Sequence, residues 1–252
     1  MKKLLFLIFT LMTTSIFAQL KPISYQDGSQ KLKGFVAAPA KGNKGGILIL
    51  PAWKGIDESS KAVAAKLSAL GYYAFIADIY GEGNYPADTK AAGKLSSYYK
   101  TNYTIYQQRI NLAWKELIRA GANPDKIVVI GYCFGGTGAL EAARANLPVK
   151  GVVSFHGGLG KDPSRAVSAI KPSILVCHGA DDPNVPQAQV QAFQQEMRDS
   201  KADWQMIYYS NAVHAFTDKS AGNDNSKGAA YNATADKRSW QHFLLFLEEV
   251  LR

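Results

Sequence analysis

The segment that most limits the folds open to this chain is Ile127-Val128-Val129-Ile130-Gly131-Tyr132-Cys133-Phe134-Gly135-Gly136, with Thr137-Gly138-Ala139-Leu140-Glu141-Ala142-Ala143-Arg144 directly after it. Four strand-forming residues enter a Gly-x-Cys-x-Gly turn, and a helix-compatible stretch leaves it at once. The flanking glycines permit a reversal too tight for side chains and force the central residue into a strained, exposed position. This strand-turn-helix context is that of a nucleophile elbow, with cysteine where serine is usual. The N-terminus of the following helix favours the thiolate, the reactive form of the side chain.

The rest of the chain repeats the same alternation. Short apolar runs predict strands at 31–38, 46–50, 73–80, 127–130, 149–155, 174–178 and 204–209. Helix-compatible segments fall at 58–70, 106–120, 137–145, 187–199 and 235–251. A polar, tyrosine-rich stretch with Tyr85, Tyr98, Tyr99 and Tyr103 lies between two of them and is read as a wall or cap. Strands that are apolar throughout, alternating with helices, imply an α/β protein: a mostly parallel central sheet with helices on both faces. Functional residues then gather beyond the carboxyl ends of the strands.

Several function classes can be set aside. Lys2 and Lys3 precede an apolar run at 4–12, and Ser15-Ile16-Phe17-Ala18 offers a small residue at a cut before Gln19. Residues 1–18 therefore read as a signal peptide and 19–252 as a single domain, exported to the periplasm or beyond. The apolar run is shorter than the ~20 residues of a membrane span, so the mature chain is expected to have none. Without that leader the charge is 27 − 20 = +7, and no basic run exceeds two residues. Such scatter does not suit a nucleic-acid binder. No metal-ligand spacing and no phosphate-binding glycine loop is present. The two cysteines, Cys133 and Cys177, fall on strands with another strand between them, beyond bridging reach, and are expected to be free thiols.

Beyond three strand ends lie Cys133, then Asp181-Asp182, then His214. Nucleophile, acid and histidine in that order are the α/β-hydrolase arrangement. Cysteine attacks an acyl carbon, histidine carries the proton, and a carboxylate holds the imidazole in its working tautomer. Asp182 is preferred because it opens the rigid turn Asp182-Pro183-Asn184-Val185-Pro186, leaving Asp181 as a turn residue. An oxyanion needs two backbone N–H donors, assigned to Phe134 and to Trp53 in Pro51-Ala52-Trp53-Lys54-Gly55. His156 is expected to line the pocket. His178 and His242 read as structural and Lys54 as solvent-facing.

The chain resembles the dienelactone hydrolase family over most of its length. The likeness rests on Gly131-Tyr132-Cys133-Phe134-Gly135-Gly136, Phe155-His156-Gly157-Gly158, Gly179-Ala180-Asp181-Asp182-Pro183-Asn184-Val185-Pro186, Val213-His214-Ala215-Phe216-Thr217 and the stretch from Tyr231 to Trp240. The resemblance implies the α/β-hydrolase fold, a Cys133-Asp182-His214 triad, no cofactor, and a small-molecule ester or lactone substrate. Tyr80, Glu82, Phe216 and Asp218 match pocket positions. The chain departs from the family in three places. Ala52 stands where the best-known members carry a glutamate beside the resting cysteine. Glu82 and Asp218 stand where those members hold a substrate carboxylate with arginines, so a neutral substrate is expected.

The resulting expectation is an exported thiol hydrolase of neutral esters or lactones. Two rivals remain: a ligand-binding protein that kept the pocket and lost turnover, and a thiol redox protein. The latter lacks a C-x-x-C pair.

Overall fold

The computed structural model describes residues 20–252, and the expected leader lies outside them. In chain order the elements are β1 (Lys21–Asp27), β2 (Gln30–Ala37), β3 (Gly46–Leu50), α1 (Glu58–Ala69), β4 (Tyr73–Ile76), α2 (Thr89–Thr101), α3 (Tyr103–Arg119), β5 (Ile127–Tyr132), α4 (Phe134–Arg144), β6 (Gly151–Phe155), β7 (Ser173–Gly179), α5 (Gln187–Asp199), β8 (Trp204–Tyr209) and α6 (Ala233–Val250). Eight strands form one sheet in the order β1-β2-β4-β3-β5-β6-β7-β8. The first two pairings are antiparallel and all the others parallel.

Alternate strand residues face opposite sides, so a strand covered on both faces must be apolar throughout. Leu48, Val129, Val152 and Val176 pack under Ile110 and Leu117 of α3, Leu140 of α4 and Phe193 of α5. Ile47, Ile49, Ile130 and Val153 pack against Leu67 of α1 and Phe243 and Leu247 of α6. The parallel register aligns strand ends: Leu50 pairs with Gly131, Tyr132 with Phe155, Phe155 with Cys177 and Gly179 with Tyr209. One rim of the sheet therefore carries the loops after β3, β5, β6, β7 and β8.

Two elements differ from the sequence reading by their presence. β1 is an antiparallel edge strand with Tyr25 as its one buried residue, so it carries no apolar run. The α2 helix is mostly polar, capped by Asp88 and held by Ala92, Ser96 and Tyr99. The strand predicted at 73–80 stops at Ile76. Buried Asp78 breaks the ladder there, accepting hydrogen bonds from the Lys33 and Gly81 amides and the Tyr85 hydroxyl. Both cysteines are free thiols.

Cys133 adopts φ 53°, ψ −114°, the strained conformation expected at the elbow. Such strain costs about 1–3 kcal/mol, comparable to what one fully buried aliphatic side chain contributes, about 1.5–3 kcal/mol. Val129 and Ile130 before the turn and Leu140 after it, all essentially buried, are enough to hold it. The glycines matter for space. A Cβ on Gly131 would lie 1.9 Å from the Gly135 carbonyl oxygen, and one on Gly135 2.0 Å from that of Leu50. We expect Gly135→Ala to lower stability by about 3 kcal/mol or more, seen as a fall in Tm of roughly 6–12 °C. A melting curve matching the parent would contradict this packing.

Candidate active site

Cys133 stands at the end of β5 with its amide donating to the Phe155 carbonyl, 3.0 Å, and its carbonyl accepting the Thr137 amide, 3.2 Å, in the first turn of α4. His214 comes from the loop after β8. Its amide donates to the Gly228 carbonyl and its carbonyl accepts the Ala230 amide, which fixes that loop against the following segment. The imidazole Nε2 lies 3.0 Å from the Cys133 sulfur, and Nδ1 lies 2.9 Å from Oδ2 of Asp182. The Asp182 carboxylate is fully buried, and its other oxygen accepts the Asn184 amide at 2.8 Å. Asp181 is exposed and donates its amide to Ala212, consistent with a turn role.

Burial alone would disfavour a charged imidazole at 214. The hydrogen bonds to Asp182 and Cys133 and the negative charge they bring outweigh it, raising its pKa to about 10. His214 is thus an imidazolium at neutral pH, with its Nε2 proton facing the sulfur. His156 behaves oppositely. Its full burial, reinforced by the neighbouring His214, keeps it well below the usual histidine range and neutral. Its ring sits edge-on to His214 at 5.4 Å, and Nε2 bonds Thr217 Oγ1 at 2.8 Å. His156 thus braces the loop that carries His214.

Phe134 occupies the first position of α4, where the helix supplies no acceptor for its amide. Trp53 lies in the turn after β3. Among the described residues neither amide has a hydrogen-bond acceptor, so both remain available to a developing oxyanion. The Trp53 carbonyl is fixed by the Tyr80 hydroxyl at 2.7 Å.

These groups open on a cleft of about 1030 Å³, bordered by Cys133, His214, His156, Trp53, Phe134 and Asp218 among others. Three expected pocket residues are not on its surface. Tyr80 is buried behind Trp53 and stacks on Phe134, because its hydroxyl is spent on the Trp53 carbonyl. Phe216 is fully buried and packs on His156 and Tyr209. Glu82 faces solvent, its amide donating to Lys31 and its carbonyl held by Gln30, so it is removed from the pocket. Asp218 does border the cleft, but its carboxylate caps the Ser220 amide. His178 is buried against Tyr208, His242 bonds Tyr209, and Lys54 is exposed.

The sequence reading missed Tyr132, Glu141 and Arg165, all on the cleft. Glu141 was within reach, since Thr137, Glu141 and Arg144 follow one face of α4 at helical spacing. Arg165 lies in an irregular loop and gave no periodic signal. Among the described residues no cluster suited to a metal ion occurs, and no helix is long and apolar enough to cross a membrane.

Comparison with known proteins agrees with this architecture. The family model described as "Dienelactone hydrolase family" matches residues 32–251. A solved structure, a dienelactone hydrolase-like promiscuous phosphotriesterase from metagenomic libraries, is 34% identical with a TM-score of 0.85, covering 92% of this chain and 98% of that one. A Synechocystis protein named "Putative carboxymethylenebutenolidase" is 24% identical over 91% of this chain and 96% of its own length. A Bradyrhizobium protein named "Probable 2-oxo-3-(5-oxofuran-2-ylidene)propanoate lactonase" is 25% identical over 88% and 90%.

Proposed function

The chain belongs to the dienelactone hydrolase family, and from that premise we propose that it is an exported, cofactor-free hydrolase of carboxylic esters or lactones, acting through Cys133, His214 and Asp182. The observation that carries this reading is the pair of contacts that His214 makes, 3.0 Å to the sulfur and 2.9 Å to the Asp182 carboxylate. Export rests on the leader-like start of the sequence.

The sulfur attacks the carbonyl carbon, and the carbonyl electron pair moves onto oxygen, where the Phe134 and Trp53 amides stabilise it. Collapse breaks the ester C–O bond, and His214 gives its Nε2 proton to the departing alkoxide. The neutral imidazole then takes a proton from water, whose oxygen attacks the thioester. The second collapse expels the thiolate and frees the acid. Asp182 keeps Nδ1 protonated throughout, so that Nε2 is the atom that exchanges protons. We read the reacting end of the substrate as neutral, because Asp218 borders the cleft where a family arginine is expected.

Hydrolysis of p-nitrophenyl acetate and butyrate, abolished by iodoacetamide, is the direct test. His214 stays protonated up to about pH 10. Stability moves with the same group. The folded pKa of His214 lies above its unfolded value near 6.5, so its contribution is full below about pH 6.5 and is lost as pH rises through about 10. Failure to turn over any ester, with ligand still bound, would instead favour a silent binding protein, the reading that Ala52 motivates. The 34% identity to a promiscuous phosphotriesterase supports including a phosphotriester in the panel.

A further inference from the structure

The cleft does not end at the sulfur. Its lining follows α4 through Thr137 to Glu141 and includes Arg165, Lys161, Asp162 and Lys100. Arg165 is unlike an ordinary loop arginine. Its guanidinium carbon lies 3.5 Å from the centre of the Tyr103 ring, and Nη1 donates to Glu141 Oε1 at 2.9 Å. Glu141 is in turn immobilised. Arg144 donates to Oε1 at 2.9 Å and Gln107 to Oε2 at 2.8 Å, with the carboxylate only 4% exposed. Arg144 is itself buried and forked onto Glu196. The Arg165 side chain is 13% exposed.

This network holds the guanidinium in one orientation and leaves part of it unused. Among the described residues Nε and Nη2 of Arg165 have no acceptor, yet neither belongs to the buried unsatisfied groups, so both keep some exposure on a residue that lines the cleft. A planar fork with fixed direction and free donors is suited to a carboxylate, which it can engage through two N–H bonds at once. Lys161 is tied by its ammonium to the Arg165 carbonyl, 2.7 Å, which holds a second positive charge on the same loop. Lys100 of α2 also borders the cleft, is exposed and forms no ion pair among the described residues. The carboxylate of Asp162 is turned onto the Ser164 amide and hydroxyl.

We propose that Arg165 forms a remote anion subsite, so that the preferred substrate is an ester whose reacting end is neutral and whose acyl chain ends in a carboxylate. The inference rests on the hydrolase reading above and adds the substrate class. It places the recognised charge far from the carbonyl, on a different loop from the positions of Glu82 and Asp218. Glu141 lies about two helical turns beyond Cys133, about 12 Å along α4, which a chain of roughly six to nine carbons would span.

The test compares mono-p-nitrophenyl pimelate with p-nitrophenyl heptanoate, which has the same chain length without the charge. The wild-type enzyme should favour the carboxylated ester about tenfold in kcat/KM. In Arg165→Met the ratio of the two should fall about tenfold, to near parity, and in Arg165→Lys, which keeps charge but loses the fork, by an intermediate factor. Equal turnover of the two esters by the wild type, or an equal loss for both in the variants with a lowered Tm, would overturn the proposal and leave Arg165 a structural latch. Turnover of neither ester would count against the hydrolase reading instead. In that event free pimelate should still slow iodoacetamide labelling of Cys133 in the wild type and not in Arg165→Met. Absence of that protection would overturn the subsite independently.

Discussion

Cys133→Ala should reduce kcat for p-nitrophenyl butyrate by about 10⁴-fold or more while leaving the melting temperature within a few degrees of the parent. The methyl group fits wherever the sulfur does, since residue 133 already occupies φ 53° with a β-carbon in place. The strain is therefore retained, and only the nucleophile is lost. What survives would be the stabilisation offered by the Phe134 and Trp53 amides to a carbonyl attacked by water. Cys133→Ser is the more searching variant. A hydroxyl stays protonated at neutral pH and needs a base, whereas His214 owes its raised pKa partly to the hydrogen bond and charge at the sulfur. With a neutral hydroxyl in that place the imidazole should become less basic and available as a base, yet in a geometry set by the larger sulfur. We expect the serine enzyme to remain about 10³-fold below the parent. Activity of Cys133→Ala within tenfold of wild type, in protein shown free of parent by mass spectrometry, would remove the thiol from the reaction.

The elbow was legible in the sequence because two independent constraints meet there. Ile127 to Ile130 must be buried on both faces, and Gly131 and Gly135 sit where any β-carbon would collide with backbone. Apolar runs and obligatory glycines are local signals, so β5, α4 and the strained Cys133 follow from a dozen residues. The order of the strand ends then brought Asp182 and His214 to the same rim. The choice between Asp181 and Asp182 depended on turn chemistry; of the two, Asp182 is buried against His214 and Asp181 is exposed. The parts that were not legible share a cause. β1 and α2 carry few apolar residues because each is packed from one side only. Tyr80 and Phe216 lie beside the site in sequence but spend their side chains on Trp53 and His156, a tertiary fact without periodicity. Glu82 points to solvent because Gln30 and Lys31 of the antiparallel β2 capture its backbone. Arg165 becomes part of the cleft only through Tyr103 and Glu141, 62 and 24 residues away in the chain.

Asp182→Asn is expected to lower kcat by about 10³- to 10⁴-fold, although it changes a single heavy atom. The two oxygens of Asp182 have different partners: Oδ1 accepts the Asn184 amide and Oδ2 faces Nδ1 of His214. An asparagine offers one acceptor and one donor group for the two places. With its oxygen toward the Asn184 amide, its NH2 points at Nδ1, which must then be an acceptor. Nε2 carries the proton in that tautomer and cannot take one from water, so deacylation stalls. With the amide flipped, the NH2 is pressed against the Asn184 N–H in a fully buried spot, at the cost of an unmade hydrogen bond and a crowded contact. Either orientation also removes a negative charge that raises the His214 pKa. Asp181→Asn, exposed and distant from the imidazole, is the matched control and should stay within about threefold. A burst of p-nitrophenol followed by a slow steady state in Asp182→Asn would locate the defect in release of the acyl group. Equal steady-state rates for the two variants would mean that the buried carboxylate does not govern the tautomer of His214.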